Sequence, residues 1–166
     1  MQPRSLAAAL VIALAALLTI FPSLALATTY TDTVSGIELF ATPSLGVFAG
    51  TATGSLPGTW LATVQHTPLS PNATITGGKF TLSTVLGAST ARVTGSFGSG
   101  NVTFLAQDPG CGKQSYAVNG GLINVGVGGG TGTGSFLATL VHYRKILFGT
   151  CIPYFATVTG TVTLDF

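Results

Sequence analysis

His66 and His142 are the side chains of this sequence best suited to moving a proton near neutral pH. Each closes one copy of a nine-residue match. Gly58-Thr59-Trp60-Leu61-Ala62-Thr63-Val64-Gln65-His66 returns as Gly134-Ser135-Phe136-Leu137-Ala138-Thr139-Leu140-Val141-His142, identical at five positions. A second match follows each copy, Thr74 to Leu82 against Thr157 to Leu164, with one residue deleted. Copies that fold alike would set both imidazoles at one rim, as a proton-transfer pair or as ligand contacts. The competing role is structural, with the two rings capping loop backbone where the core meets solvent. With no carboxylate assigned beside it, an imidazole buried near Trp60 should disfavour its charged form.

Other chemistry lacks the residues it needs. The acids Asp32, Glu38, Asp108 and Asp165 are scattered, and Asp32 and Glu38 are expected to be exposed near the start of the mature chain. No paired-carboxylate hydrolase, Gly-x-Ser-x-Gly elbow or two-histidine metal spacing is visible, so no metal or cofactor is expected. The run from Gly126 to Gly134 fits neither the dinucleotide nor the Walker pattern and reads as a hairpin turn.

Strands must position the histidines. Successive strand side chains alternate faces, so Trp60, Ala62, Val64 and His66 share one side, and Phe136, Ala138, Leu140 and His142 share the matching one. Leu137, Val141 and Tyr143 make the other face of the second copy less polar, which suggests a cover on both sides. Further strands are expected at Gly36–Thr42, Val47–Gly54, Thr90–Phe97, Asn101–Ala106 and Tyr116–Val127. Turns are expected at Leu56-Pro57-Gly58, Ser70-Pro71-Asn72, Gly98-Ser99-Gly100, Asp108-Pro109-Gly110 and Gly128-Gly129-Gly130. Short, regularly spaced strands without a convincing helix predict an all-β domain. The expectation is one antiparallel barrel of about eight strands built around a repeated strand–loop–strand unit, with a sandwich as the alternative. After His142, Tyr143 to Ala156 reads as a long aromatic and basic loop, twice the length of its counterpart after His66.

Residues 1–27 have the parts of a secretory signal peptide: Arg4, the apolar run Leu6 to Ile20, and the small-x-small ending Ala25-Leu26-Ala27. Fifteen apolar residues fall short of a roughly 30 Å hydrocarbon layer, so cleavage after Ala27 is expected, with no permanent membrane anchor. Residues 28–166 then form a single domain. All 23 glycines lie in those 139 residues, about 17% against a usual ~7%, alongside abundant Thr, Val, Ala and Ser that favour strands over helices. Mature charge near +1 gives no electrostatic case for nucleic acid or an anionic membrane surface. In an exported chain the two cysteines, Cys111 and Cys151, read as one disulfide.

Val127-Gly128-Gly129-Gly130-Thr131-Gly132, followed by Thr133-Gly134-Ser135-Phe136, resembles the glycine-rich hairpin of dirigent and allene-oxide-cyclase-like secreted small barrels and of bacterial exported relatives of that shape. The likeness spans Leu122 to Leu140 and implies a fold. Because the aromatic-plus-small stretch between the glycine clusters of those families is missing here, no active-site residue is carried over. The function expected is non-catalytic: binding of an apolar ligand or partner, or self-assembly at the cell surface. Trp60, Phe136, Tyr143, Arg144, Phe148 and Tyr154 are the expected contacts. The alternative is a small barrel enzyme of cyclase or isomerase type using His66 and His142.

Overall fold

A computed structural model describes residues 27–166, so the expected leader lies outside the described residues except for Ala27. Eight strands follow one another: β1 (Thr29–Thr42), β2 (Leu45–Gly54), β3 (Gly58–His66), β4 (Ala73–Leu86), β5 (Ser89–Gln107), β6 (Gln114–Val127), β7 (Gly132–Leu147) and β8 (Thr150–Asp165). Each pairs antiparallel with the next, and β8 returns to β1 to close a barrel. The barrel, and not the sandwich, is the architecture.

The sidedness follows the alternation. Trp60, Ala62, Val64 and His66 line the interior, as do Phe136, Ala138, Leu140 and His142. Thr31, Thr33, Ser35, Thr51, Thr53, Thr133 and Ser135 face outward. The inside is apolar, and the outside mixes these hydroxyls with exposed Ile37, Leu61, Leu105 and Leu137. The two matched segments are β3 and β7, four strands apart, and their followers run in β4 and β8. The extra residue of the earlier follower is taken up where register slips between Gln65↔Gly77 and His66↔Ile75. Leu137 is 60% exposed, so no second layer covers that point of β7.

Glycines inside the strands make room for rings. Gly36, Gly50 and Trp60 form one cross-strand row. A Cβ on Gly36 would lie 2.6 Å from the Trp60 ring, and one on Gly50 would lie 1.9 Å from the Ser35 carbonyl oxygen. The indole N–H donates to the Thr51 carbonyl at 3.0 Å. Phe80 beside Gly95 and Phe136 beside Gly120 repeat the arrangement. Ring faces thereby gain contact area that a side chain at these positions would occupy.

One end of the barrel is plugged. Leu56, in the β2–β3 turn, is fully buried among Ala52, Leu82, Val93, Leu122, Val125 and Leu164. Asp32 Oδ1 accepts the Leu56 N–H at 2.7 Å, and the Thr84 hydroxyl donates to the Pro57 carbonyl at 2.8 Å. Those two are the buried polar residues of the described chain, and both fasten the plug. The expected exposure of Asp32 is therefore corrected: at 1% exposed, it is held inside by the turn it anchors.

Two expected connections are strands. Gly98-Ser99-Gly100 is no turn; it is a bulge in the 19-residue β5, where register shifts between Phe97 and Gly100. Glycine permits either outcome, and pairing with β4 and β6 on both sides selects the bulge. Tyr143 to Ala156 is likewise no loop. It forms the end of the β7–β8 hairpin, with rungs from Tyr143↔Phe155 to Leu147↔Thr150 around Phe148-Gly149.

Candidate functional site

Opposite the plug, the barrel opens onto a cavity of about 610 Å³. Its wall is apolar, with Trp60, Phe80, Phe97, Phe136, Leu82 and Leu122 deep inside and small Ala62 and Ala138 giving width. Phe97 meets Phe136 edge-on at 5.3 Å between centroids, which fixes the ring geometry on one side. Polar groups gather at the mouth: Glu38, His66, Gln114, Tyr116 and His142.

Each is placed by strand parity. His66 ends β3, and His142 sits at the last rung that β7 shares with β6, opposite Gln114. Tyr116 follows Gln114 on the same face of β6 and packs edge-on against the His142 ring at 5.4 Å. Its hydroxyl donates to Gln114 Oε1 at 3.2 Å, and the Gln114 amide donates to Gln107 Oε1 at 2.8 Å. This chain of side chains links the cavity to the β5–β6 turn. His66 Nδ1 lies 2.8 Å from the Thr67 carbonyl, the local capping contact that sequence reasoning weighed for it.

Glu38 is the residue that sequence reasoning missed. Expected at the surface, it points into the mouth, with Oε2 3.7 Å from His142 Nε2. That distance is too long for a hydrogen bond. Nε2 is buried and has no hydrogen-bond partner among protein atoms. Burial pushes the Glu38 carboxyl up to about 7. Burial also holds the His142 imidazole below its ordinary value, and the positive charges of Arg144 and His66 add to this. Burial raises the Tyr116 phenol, partly offset by Arg144. Both members of the close pair thus favour their uncharged forms, a carboxylic acid facing a neutral imidazole. Such a pair offers a ligand one donor and one acceptor at the end of an apolar chamber. The lowered His142 basicity agrees in direction with the desolvation expected from sequence, although a carboxyl does lie beside it.

The titration of Glu38 has a consequence for stability. Its folded value lies above the ordinary 4.5, so its contribution is fully present below that and lost as pH rises through about 7. His142 acts oppositely, contributing above its ordinary 6.5 and losing that as pH falls through its lowered folded value. Glu38→Gln should therefore match the parent at pH 4 and exceed its unfolding free energy by about 1–2 kcal/mol at pH 8, after allowance for partial solvation. Urea unfolding at the two pH values checks this; equal gains at both would mean that the carboxyl is freely hydrated.

Of the other expected contacts, Trp60 and Phe136 line the cavity, whereas Tyr143, Arg144, Phe148 and Tyr154 do not. Tyr143 packs on Phe155 at 5.6 Å, and the Arg144 guanidinium donates to the Cys151 carbonyl at 3.5 Å. Phe148 and Tyr154 face solvent beyond the mouth. Position along the strands separates the groups, because β7 and β8 continue past the last rung of the wall. Cys111 and Cys151 form the expected disulfide, joining the β5–β6 turn to this extension. Among the described residues, no three His, Cys, Asp or Glu side chains are close enough to hold a metal ion. No family model, curated protein or solved structure matches this chain, so the site stands on its own geometry.

Proposed function

We propose that this protein is an exported barrel that binds one apolar small molecule in its interior, without transforming it. The observation that carries this reading is the ring-lined chamber of about 610 Å³, open at one end and plugged at the other. Small-molecule sites span roughly 300–1,000 Å³ and combine apolar walls with a few polar groups that orient the guest. Here those groups are the mouth cluster around Glu38 and His142. The disulfide and the leader pattern of residues 1–27 support export. Duplication of one strand–loop–strand unit accounts for the equivalent placing of Trp60-Leu61-Ala62 and Phe136-Leu137-Ala138.

The test uses protein recovered after export, whose intact mass should correspond to a chain starting at Thr28. A solvatochromic apolar fluorophore should bind with a stoichiometry of one. Ala138→Phe, which fills the chamber from its wall, should weaken that binding by about 30-fold or more while leaving the strand signal in circular dichroism unchanged. Binding that ignores Ala138→Phe would place the fluorophore elsewhere and remove the basis of the reading.

One observation favours a second reading. Glu38 and His142 face each other with neutral forms preferred, a combination suited to moving a proton within a bound apolar substrate as a cyclase or isomerase would. Under that reading Glu38→Gln abolishes turnover while apolar binding persists. Under the binding reading, the extracted guest is chemically the same from parent and variant.

A further inference from the structure

Beside β6 and β1 the barrel wall stops above the mouth and the β7–β8 hairpin continues without lateral partners, while β1 and β2 run on together to Thr42↔Leu45. β6 pairs with β7 up to Gln114↔His142, and β1 pairs with β8 up to Ile37↔Thr157. β7 and β8 go on pairing only with each other for five more rungs, from Tyr143↔Phe155 to Leu147↔Thr150. At roughly 3.3 Å per residue the hairpin rises about 15 Å beyond the wall. The Cys111–Cys151 bond is its covalent tie to the neighbouring turn.

The tip of this hairpin runs against ordinary turn chemistry. Phe148 and Gly149 both have positive φ, 49° and 77°. A two-residue turn of this kind favours Asn-Gly, and a bulky residue in the left-handed region is strained. Phe148 is nonetheless there and is 98% exposed, with Ile146 69% exposed and Leu147 and Tyr154 also open to solvent. A strained position holding a fully exposed ring contributes nothing to folding, which directs attention to something the ring meets outside the molecule.

Charge indicates what that is. From Tyr143 to Phe155 the hairpin carries Arg144 and Lys145 and no acid, and Lys113 stands on the adjoining turn. The Lys145 ammonium lies 5.1 Å from the centre of the Tyr154 ring, and that of Lys113 lies 5.1 Å from the Tyr143 ring. Cations held beside aromatic rings, behind an apolar tip, suit the boundary between lipid headgroups and acyl chains. Asp32 lies in the plug, Asp165 near the chain end and Glu38 inside the mouth, and Asp108 shares the β5–β6 turn with Lys113, so three cations gather here against one acid although the charge of the whole mature chain is only near +1. A protein groove could accept the apolar tip, but it would not require three cations around it.

We propose that the overhanging end of the β7–β8 hairpin docks the barrel on an anionic lipid surface, with Phe148 entering the acyl boundary and Lys113, Arg144 and Lys145 meeting headgroup phosphates. Docking in this orientation turns the cavity mouth toward the bilayer. It stands on the tip and its charges, independently of whether the chamber holds a guest.

The probe is a set of vesicles, phosphatidylcholine alone or mixed with phosphatidylglycerol, used in co-sedimentation with protein recovered after export. The parent should bind the mixed vesicles, lose binding in high salt, and bind phosphatidylcholine alone weakly. Phe148→Asn should weaken binding about tenfold while its unfolding midpoint stays equal or rises, since Asn tolerates the left-handed turn. Combined Lys113→Gln and Lys145→Gln should weaken it by a further ~20-fold on the mixed vesicles. Phe148→Trp should preserve binding and shift its emission to the blue on contact. All of these variants should take up the apolar fluorophore in vesicle-free buffer as the parent does, so failure here is distinguishable from an empty chamber. Undiminished vesicle binding by Phe148→Asn would overturn docking through the tip. So would equal, salt-insensitive binding to both vesicle types, or a parent dimer that Phe148→Asn dissociates.

Discussion

Replacing both cysteines, Cys111→Ser with Cys151→Ser, is expected to lower the unfolding free energy by about 4 kcal/mol and the unfolding midpoint by about 10–15 °C. The two residues are 40 apart in sequence, and the bond removes the freedom of that loop from the unfolded chain. The closed segment includes all of β6, the β6–β7 turn and all of β7. Its loss also frees the overhang from the β5–β6 turn, so hydrogen exchange should rise first between Tyr143 and Phe155. A domain of this size has only about 5–15 kcal/mol of stability to lose, so the variant should sit near the threshold of folding at 37 °C. Calorimetry of the oxidised parent and the double variant decides the matter. A difference below about 1 kcal/mol would mean that the unfolded chain already keeps these segments together.

The second large effect concerns one glycine. Gly50→Val should destabilise by about 3–4 kcal/mol, because its Cβ would be driven into the Ser35 carbonyl and the Gly36 backbone, neither of which can yield without breaking the β1–β2 ladder. Gly121→Ala supplies the contrast. A Cβ there meets nothing closer than the Gly134 carbonyl at 4.0 Å, and the backbone needs no positive φ. That variant should fall within about 0.5 kcal/mol of the parent or slightly above it. Near-UV circular dichroism of Trp60 should change in the first variant and not in the second. Equal tolerance at both sites would remove the account of Gly50 as a point of close backbone approach between β1 and β2.

The β-rich class was legible because Thr, Val and Gly alternate over long runs with little that favours a helix. The interior was legible at Trp60, Ala62, Val64 and His66, where burial imposes the period of two. The same rule, extended back from Gly36 through Val34, Asp32 and Tyr30, would have set Glu38 inside, since the even residues of β1 share a face. Proximity to the expected cleavage site was the weaker guide. The pairing of Glu38 with His142 was not legible, because it joins residues 104 apart through the curvature of the closed sheet. Nor was the bulge at Gly98-Ser99-Gly100, where local turn preference loses to hydrogen bonding on both edges. Phe148-Gly149 was hidden for the opposite reason: a phenylalanine is a poor signal for a tight reversal, so the segment read as a long loop.

The first and last strands close the wall, and Thr28 and Phe166 exchange backbone hydrogen bonds in both directions at 3.0 and 3.2 Å. A nascent chain that has delivered seven strands still carries two raw edges, one along β7 and one on the side of β1 that β8 takes. Closure must wait for residues 120 to 136 positions away, from Ile37↔Thr157 to Thr29↔Asp165, a topology that folds slowly. Under the export proposed above, this order of closure keeps a stable barrel from jamming the passage before β8 has emerged.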